Sequence, residues 1–254
     1  MKSILIIAGS DTFGGAGIQA DIKTAYKLGY HPFTIISALT AQNSVSIKEI
    51  MPVTKDFISK QLDTVLEDVR PDSVKIGMLF SSDIINIIAD KLLYYNLSPI
   101  VLDPLVRASV GKKLLSNDGV DILKNRLFPL ADVITPNKYE AEFFLDLKIN
   151  TLKDMEEAAK RLFDLGPNVV ITGYITNDAI IDVVYNGKKF FYVKDKKINA
   201  TNSHGSGCVF STSLSIFLSE KTPLFQAVYF AHNFTKKAIQ QGYPLGKGSG
   251  AVLP

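Results

Sequence analysis

Short, unbroken apolar runs, each followed by a stretch with apolar residues three and four positions apart, recur from the first residues and narrow the possible folds sharply. The runs are Ile4–Ala8, Phe33–Leu39, Ser73–Ile76, Ile100–Leu102, Asp132–Ile134 and Val169–Thr172. Continuous rather than alternating apolar strands belong to a parallel sheet buried on both faces. The helical stretches lie near Ala16–Leu28, Thr54–Val65, Asp83–Tyr94, Val120–Leu127, Tyr139–Leu145 and Met155–Leu165. Right-handed crossovers place such helices on both faces of the sheet, and ligands then gather at the carboxyl ends of the strands. Two further strands, Ala179–Tyr185 and Lys188–Val193, surround Asn186-Gly187, a pair that favours a type I′ hairpin and predicts an antiparallel edge. Helices near Gly205–Leu218 and Pro223–Gln241 follow, then a Gly-rich end.

With no linker, repeat or low-complexity tract in 254 residues, the expectation is one α/β domain over 1–254. Hydrophobic residues at 46% and charged residues at 21% exclude a disordered or collagen-like chain. Twenty-eight basic against 25 acidic residues leave a net +3, too little for a nucleic-acid footprint. Lys112-Lys113 and the lysines of 194–197 read as solvated faces. The single cysteine, Cys208, rules out an internal disulfide framework, and no Cys/His spacing suits structural zinc. Met1–Ala8 is too short an apolar stretch for a secretory signal and reads as a strand. No uncharged apolar run reaches the roughly 18 residues of a membrane span. A reducing compartment, the cytoplasm, is expected.

Three segments have the composition of a site. After the first strand comes Ala8-Gly9-Ser10-Asp11-Thr12-Phe13-Gly14-Gly15-Ala16-Gly17, whose glycines let the backbone approach a ligand closely before a helix begins. Gly15-x-Gly17-x-x-Ala20 formally fits a dinucleotide fingerprint, but Leu39 and Thr40 end the second strand where an acidic residue is required. The second segment, Asn202-Ser203-His204-Gly205-Ser206-Gly207-Cys208, opens an apolar helix with small residues, so free N–H groups and the positive dipole end suit a phosphate. Cys208 in that first turn reads two ways: a thiol activated by the helix field, or a small buried hydrophobe.

The third segment, Thr135-Pro136-Asn137-Lys138-Tyr139-Glu140, also reads two ways, as a capping box or as a clamp on hydrated Mg²⁺ and phosphate. Asp103 follows a strand directly and joins that face. No P-loop, protein-kinase signature or Gly-x-Ser-x-Gly elbow is present. His31 reads as a turn residue and His232 as a satisfied core histidine.

Together, Ala8-Gly9-Ser10-Asp11, Gly14-Gly15-Ala16-Gly17-Ile18-Gln19-Ala20-Asp21, Ala38-Leu39-Thr40-Ala41-Gln42-Asn43, Lys75-Ile76-Gly77-Met78-Leu79, Leu102-Asp103-Pro104, Thr135-Pro136-Asn137 with Glu140-Ala141-Glu142, His204-Gly205-Ser206-Gly207-Cys208 and Gly246-Lys247-Gly248 resemble the hydroxymethylpyrimidine/phosphomethylpyrimidine kinases of thiamine biosynthesis. The resemblance spans almost the whole chain. It implies a ribokinase-like three-layer α/β sandwich and transfer of the ATP γ-phosphoryl to the pyrimidine's hydroxymethyl group, then to the monophosphate. By that pattern Gln42 reads the aminopyrimidine edge, and Gly9, Asp11, Ala16, Met78 and Val106 line the same pocket. Gly205, Ser206, Gly207 and Cys208 form the anion hole, with the Cys208 sulfur near the acceptor oxygen. Asn137, Glu140, Asp103, Thr172, His204 and Arg107 stand on the ATP and phosphate side, with Glu140 and Asp103 holding Mg²⁺ through its waters. A homodimer is implied as well.

The chain departs from the family pattern at two places. Asp11 is followed by Thr12-Phe13 rather than Pro-Ser, and Thr172 stands where a lysine is usual. Arg107, in Leu105-Val106-Arg107-Ala108-Ser109-Val110-Gly111, is expected to restore the missing charge. Pyridoxal kinase is the alternative activity, and a non-catalytic pyrimidine-binding protein a further one. Gln42 favours the pyrimidine, because its amide offers both a donor and an acceptor. The Leu245–Gly250 tail reads as a closure on the nucleotide side or as a flexible terminus.

Overall fold

In the computed structural model, which describes all 254 residues, the chain forms one nine-stranded sheet. The strands are β1 (Ser3–Asp11), β2 (His31–Gln42), β3 (Ile47–Pro52), β4 (Ser73–Ile76), β5 (Ile100–Leu102), β6 (Val133–Ile134), β7 (Asn168–Ile175), β8 (Ala179–Tyr185) and β9 (Phe190–Lys196). They lie in the order β3-β2-β1-β4-β5-β6-β7-β8-β9. From β2 to β7 all neighbours are parallel, while β3 at one edge and β8 and β9 at the other run antiparallel. The chain order reverses between β1 and β4, the place where an open parallel sheet leaves a crevice outside its strand ends.

The helices are α1 (Gly17–Lys27), α2 (Lys55–Leu66), α3 (Ser82–Tyr94), α4 (Asn117–Ile122), α5 (Lys138–Leu145), α6 (Leu152–Phe163), α7 (Ser206–Ser219) and α8 (Leu224–Gln240). Successive β1 residues bury on opposite sides. Leu5 and Ile7 pack with Ile58 and Leu62 of α2 and Ile84 and Ile88 of α3. Ile4, Ile6 and Ala8 pack with Ile18 and Ala25 of α1 and Ile216 of α7. Val101, Val133 and Val170 meet Phe210 and Leu214 of α7 and Ala227 and Val228 of α8. The sandwich therefore has three layers, as expected, and the continuous apolar strands are explained by helices on both faces. No helix is long and apolar enough to cross a membrane.

Three local expectations change. Tyr185 pairs with Phe190, so the β8–β9 connection has four residues rather than a two-residue type I′ turn. Gly187 alone there has positive φ, and Asn186 Oδ1 instead accepts from the amides of Lys188 and Lys189. β3 was not anticipated: Lys48 and Glu49 make an edge strand read as loop, whereas the Asn43 carboxamide closes its hairpin by accepting from Val45 and Ser46. The Gly-rich tail, read as a closure or a flexible terminus, is docked rather than free. The amides of Lys247 and Gly248 both donate to Ser44 Oγ at 3.1 Å, which docks the tail on the β2–β3 hairpin.

Candidate active site

Where β1, β2 and β4 end and α1 and α7 begin, the structure opens a cavity of about 1200 Å³. One wall comes from the loop that leaves β1. Asp11 organises it: Oδ1 accepts from the Phe13 amide, while Oδ2 accepts from the amides of Gly15 and Ala16 and lies 2.9 Å from His204 Nε2. Burial works against the Asp11 charge, but the His204 contact and the Ala16 and Phe13 amides hold its carboxyl below the usual range. Its Oδ2 is thus spent on the loop, and Asp11 shapes the pocket rather than offering that oxygen to a ligand. Thr12 Oγ1 accepts from the Gln42 amide at 2.8 Å and lies 3.0 and 2.9 Å from the carbonyls of Thr40 and Gln42. The unusual Thr12 therefore pins the end of β2, which carries Gln42. The Gln42 side chain faces His204, with 3.4 Å between their Nε2 atoms.

The floor is the start of α7. Gly205, at φ +90°, packs so closely that a Cβ there would lie 1.9 Å from the Gly15 carbonyl oxygen. Glycine is obligatory at this contact, and it leaves the first amides of α7 without a side-chain cap. Below them, Lys75 and Asp21 form a fully buried ion pair at 2.7 Å, and Thr212 Oγ1 donates to the other Asp21 oxygen at 2.7 Å. This tie joins β4, α1 and α7, and breaking one partner would strand a charge in the interior. Cys208 is 6% exposed, and burial pushes its thiol up to about 12. Desolvation overrides the helix-end field, so the sulfur is a neutral S–H at physiological pH.

The opposite wall is the start of α5. Asn137 Oδ1 accepts from the Glu140 amide at 2.9 Å and Glu140 Oε2 accepts from the Asn137 amide at 3.0 Å, a complete capping box. Glu140 is nevertheless more than a cap. Its Oε1 is buried without a hydrogen-bond partner, and burial, with the neighbouring Asp103 charge, raises the carboxyl to about 8. Asp103, buried beneath the α7 start, accepts from Ser211 Oγ at 3.2 Å and is itself raised to about 6 by burial. A buried carboxylate with an idle oxygen, set near the charge of a second buried carboxylate, suits a hard divalent cation that keeps most of its waters.

Of the residues singled out in the sequence, Gly9, Asp11, Ala16, Gln42, Met78, Val106, Arg107, Asn137, Glu140 and the run His204–Cys208 all line this cavity. Asp103 lies just behind the lining, and Thr172 does not reach it. β7 is irregular between Ile171 and Tyr174, and the Thr172 amide is used in pairing, donating to the Pro136 carbonyl at 3.0 Å. His204, grouped with the phosphate residues on resemblance, stands instead with Asp11 and Gln42. Sequence reasoning overlooked Lys75, and also Tyr139 and Phe143, exposed aromatics of α5 that form the cavity's lip. Aromatic residues on the solvent face of a short helix were the available signal.

Residues 11–253 match the model of the phosphomethylpyrimidine kinase family. The chain belongs to that family. Like its other members it is a phosphotransferase, and its sandwich is the ribokinase-like fold. It is 38% identical to the hydroxymethylpyrimidine/phosphomethylpyrimidine kinase of Bacillus subtilis, over 97% of this chain and 92% of that one. It is 40% identical, over 98% of its own length, to a thiamine biosynthesis bifunctional protein of Geobacter sulfurreducens, of which it spans 51%. Among solved structures it matches a Bacillus subtilis pyridoxal kinase in complex with ADP at a TM-score of 0.92 and 34% identity, over 99% of this chain and 97% of that one.

Proposed function

We propose that this kinase phosphorylates 4-amino-5-hydroxymethyl-2-methylpyrimidine and then its monophosphate with ATP, completing the diphosphate used in thiamine biosynthesis. The observation that carries the reading is the Gln42 carboxamide, carried on backbone that Thr12 pins, with its Nε2 3.4 Å from His204 Nε2, in a cavity whose floor is the uncapped start of α7. A carboxamide pairs with an aminopyrimidine edge, donor to ring nitrogen and acceptor to amine. The ring then lies between Gly9, Met78, Val106 and His204, with its hydroxymethyl group toward Cys208.

Phosphoryl transfer asks the protein chiefly for positioning and charge stabilisation. The α7 amides supply donors toward the equatorial oxygens of the transferred group, where charge develops in the transition state. Mg²⁺, held by Glu140 and Asp103 largely through water, would neutralise charge on the nucleotide's phosphates. Cys208, a neutral thiol, supports the acceptor oxygen as a weak donor rather than taking its proton, which passes to an oxygen of the transferred phosphoryl group as the new O–P bond forms and the bond to ADP breaks. Arg107 is exposed, lines the cavity and has no ion-pair partner, as a replacement for the missing lysine requires. Arg107→Ala is expected to raise the KM for ATP about fivefold with the fold intact, as a steady-state titration would show.

A homodimer fits the exposed Leu39 and Met51, register partners on β2 and the edge strand β3, with the exposed Phe57 on α2. The lone free cysteine suits the cytoplasm. Pyridoxal is the second acceptor to consider, because the ADP-bound pyridoxal kinase shares the fold so closely. The deciding experiment is ATP–Mg²⁺ turnover with hydroxymethylpyrimidine, its monophosphate and pyridoxal in parallel, products being resolved by mass. A doubly phosphorylated pyrimidine is expected. Pyridoxal phosphate alone would overturn the assignment in favour of vitamin B6 salvage.

A further inference from the structure

Beyond the cavity, four elements bring a second group of ionisable side chains together. Asp182 of β8 is 4% exposed. Its Oδ2 lies 2.7 Å from His232 Nδ1 of α8, and its Oδ1 accepts from the Gly173 amide of β7 at 3.0 Å. His232 Nε2 lies 3.6 Å from Asp195 Oδ2 of β9, and Lys236 of α8 donates to that same carboxylate. Apolar side chains would fill this space without the cost of desolvating charge. What the carboxylate adds is an acceptor aimed at one amide.

That amide belongs to a special turn. Gly173 has φ +83° at the irregularity between Ile171 and Tyr174, and open space lies where its Cβ would be. The preceding residue, Thr172, donates its amide to the Pro136 carbonyl at 3.0 Å and is bridged to Asn137. Asn137 in turn fixes Glu140 through the capping box. Hydrogen bonds therefore run from His232 to Asp182 and from Asp182 to Gly173, and, across the Thr172–Gly173 peptide bond, from Thr172 to the start of α5.

We propose that Asp182, oriented by His232, is a positioning residue for the phosphate side of the active site. It holds the Gly173 turn, the turn holds the Pro136–Asn137 peptide, and that peptide sets where Glu140 points. The inference rests on the reading that Asn137 and Glu140 face the nucleotide's phosphates. The Asp11, Gln42 and His204 wall shares none of these bonds, so loss of Asp182 separates nucleotide binding from acceptor binding.

The test is calorimetric titration of the 254-residue protein with Mg²⁺ and AMP-PCP, alongside titration with whichever acceptor, hydroxymethylpyrimidine or pyridoxal, the wild type binds. Asp182→Ala is expected to weaken AMP-PCP about tenfold, equivalent to about 1.4 kcal/mol, and to change acceptor affinity less than twofold. Asp182→Asn keeps an acceptor for the Gly173 amide and a partner for the other histidine tautomer, so it should return AMP-PCP affinity to within about threefold of wild type. Equal weakening toward both ligands, or none toward AMP-PCP, overturns the proposal. If Asp182→Ala does not fold, Gly173→Ala decides: it strains the turn with room for the methyl group, and unchanged AMP-PCP affinity overturns the proposal. Because these titrations need no turnover, failure to phosphorylate the pyrimidine would remove the proposed activity and leave this test in force.

Discussion

The two walls of the cavity are built on opposite principles. On the acceptor wall the polar groups are used: Asp11 takes three amides and His204, and Thr12 ties the Gln42 backbone to the loop. On the phosphate wall groups are left wanting. Glu140 Oε1 has no partner, the Asp103 charge works against ionisation of Glu140, and α7 begins without a cap. A neutral ring needs a finished shape, prepared before binding, whereas a nucleotide and its cation bring charge that completes an unfinished site. The difference teaches that stability and function are separated in space here, since the acceptor wall contributes to folding while the phosphate wall opposes it.

The strongest way to break the comparison is Gly205→Ala, where the floor joins both walls. A methyl group against the Gly15 carbonyl must displace α7 or the β1–α1 loop. Loss of at least about 100-fold in kcat/KM is expected, the size of a misplaced transition-state donor, with circular dichroism confirming the fold. Asp11→Ala attacks the acceptor wall alone. It strands three amides and His204, and should lower stability by about 2–4 kcal/mol in chemical denaturation.

Glu140→Gln sharpens the contrast, because it should harm function and help the fold. With its carboxyl raised from 4.5 to about 8, Glu140 contributes stability that is complete below the unfolded value and is lost as pH rises toward 8. The glutamine keeps the cap and carries no such loss. At pH 8 and without ligand the variant should melt about 2–5 °C higher than wild type while kcat/KM for ATP falls at least tenfold, as paired melting curves and kinetics would show. Cys208→Ser is the smallest change. A neutral thiol replaced by a hydroxyl should leave kcat for the first phosphorylation within about threefold, and a collapse of kcat would return the sulfur to the role of base.

Much of the sandwich was legible because periodicity reports burial directly. The parallel strands and seven of the eight helices appear close to where apolar spacing put them, since helices on both faces demand continuous strands, whereas the helix expected over Val120–Leu127 begins at Asn117 and gives way to a π-helical turn over Leu123–Leu127. β3 escaped because an edge strand with one exposed face tolerates Lys48 and Glu49, so its pattern resembles a loop. The β8–β9 turn escaped for another reason: Asn-Gly also suits a longer loop in which asparagine caps two amides. The site divided in the same way. Its glycines and helix starts sit at fixed offsets from strand ends and were visible, whereas Lys75 lay inside a strand and looked like any other residue of its motif.

Sequence alone determined the layers of this protein and the segments that line its cavity, because apolar spacing, glycine and capping residues act within a few positions along the chain. Only the tertiary structure decided what each polar group is free to do. Folding brought Asp11 four donors and left Glu140 Oε1 with none, removed water from Cys208 so that its proton stays, and linked His232 through Asp182 to a turn far away in sequence. Hydrogen-bond partners and desolvation are properties of neighbours in space, and the chain brings together residues as distant in sequence as Asp11 and His204.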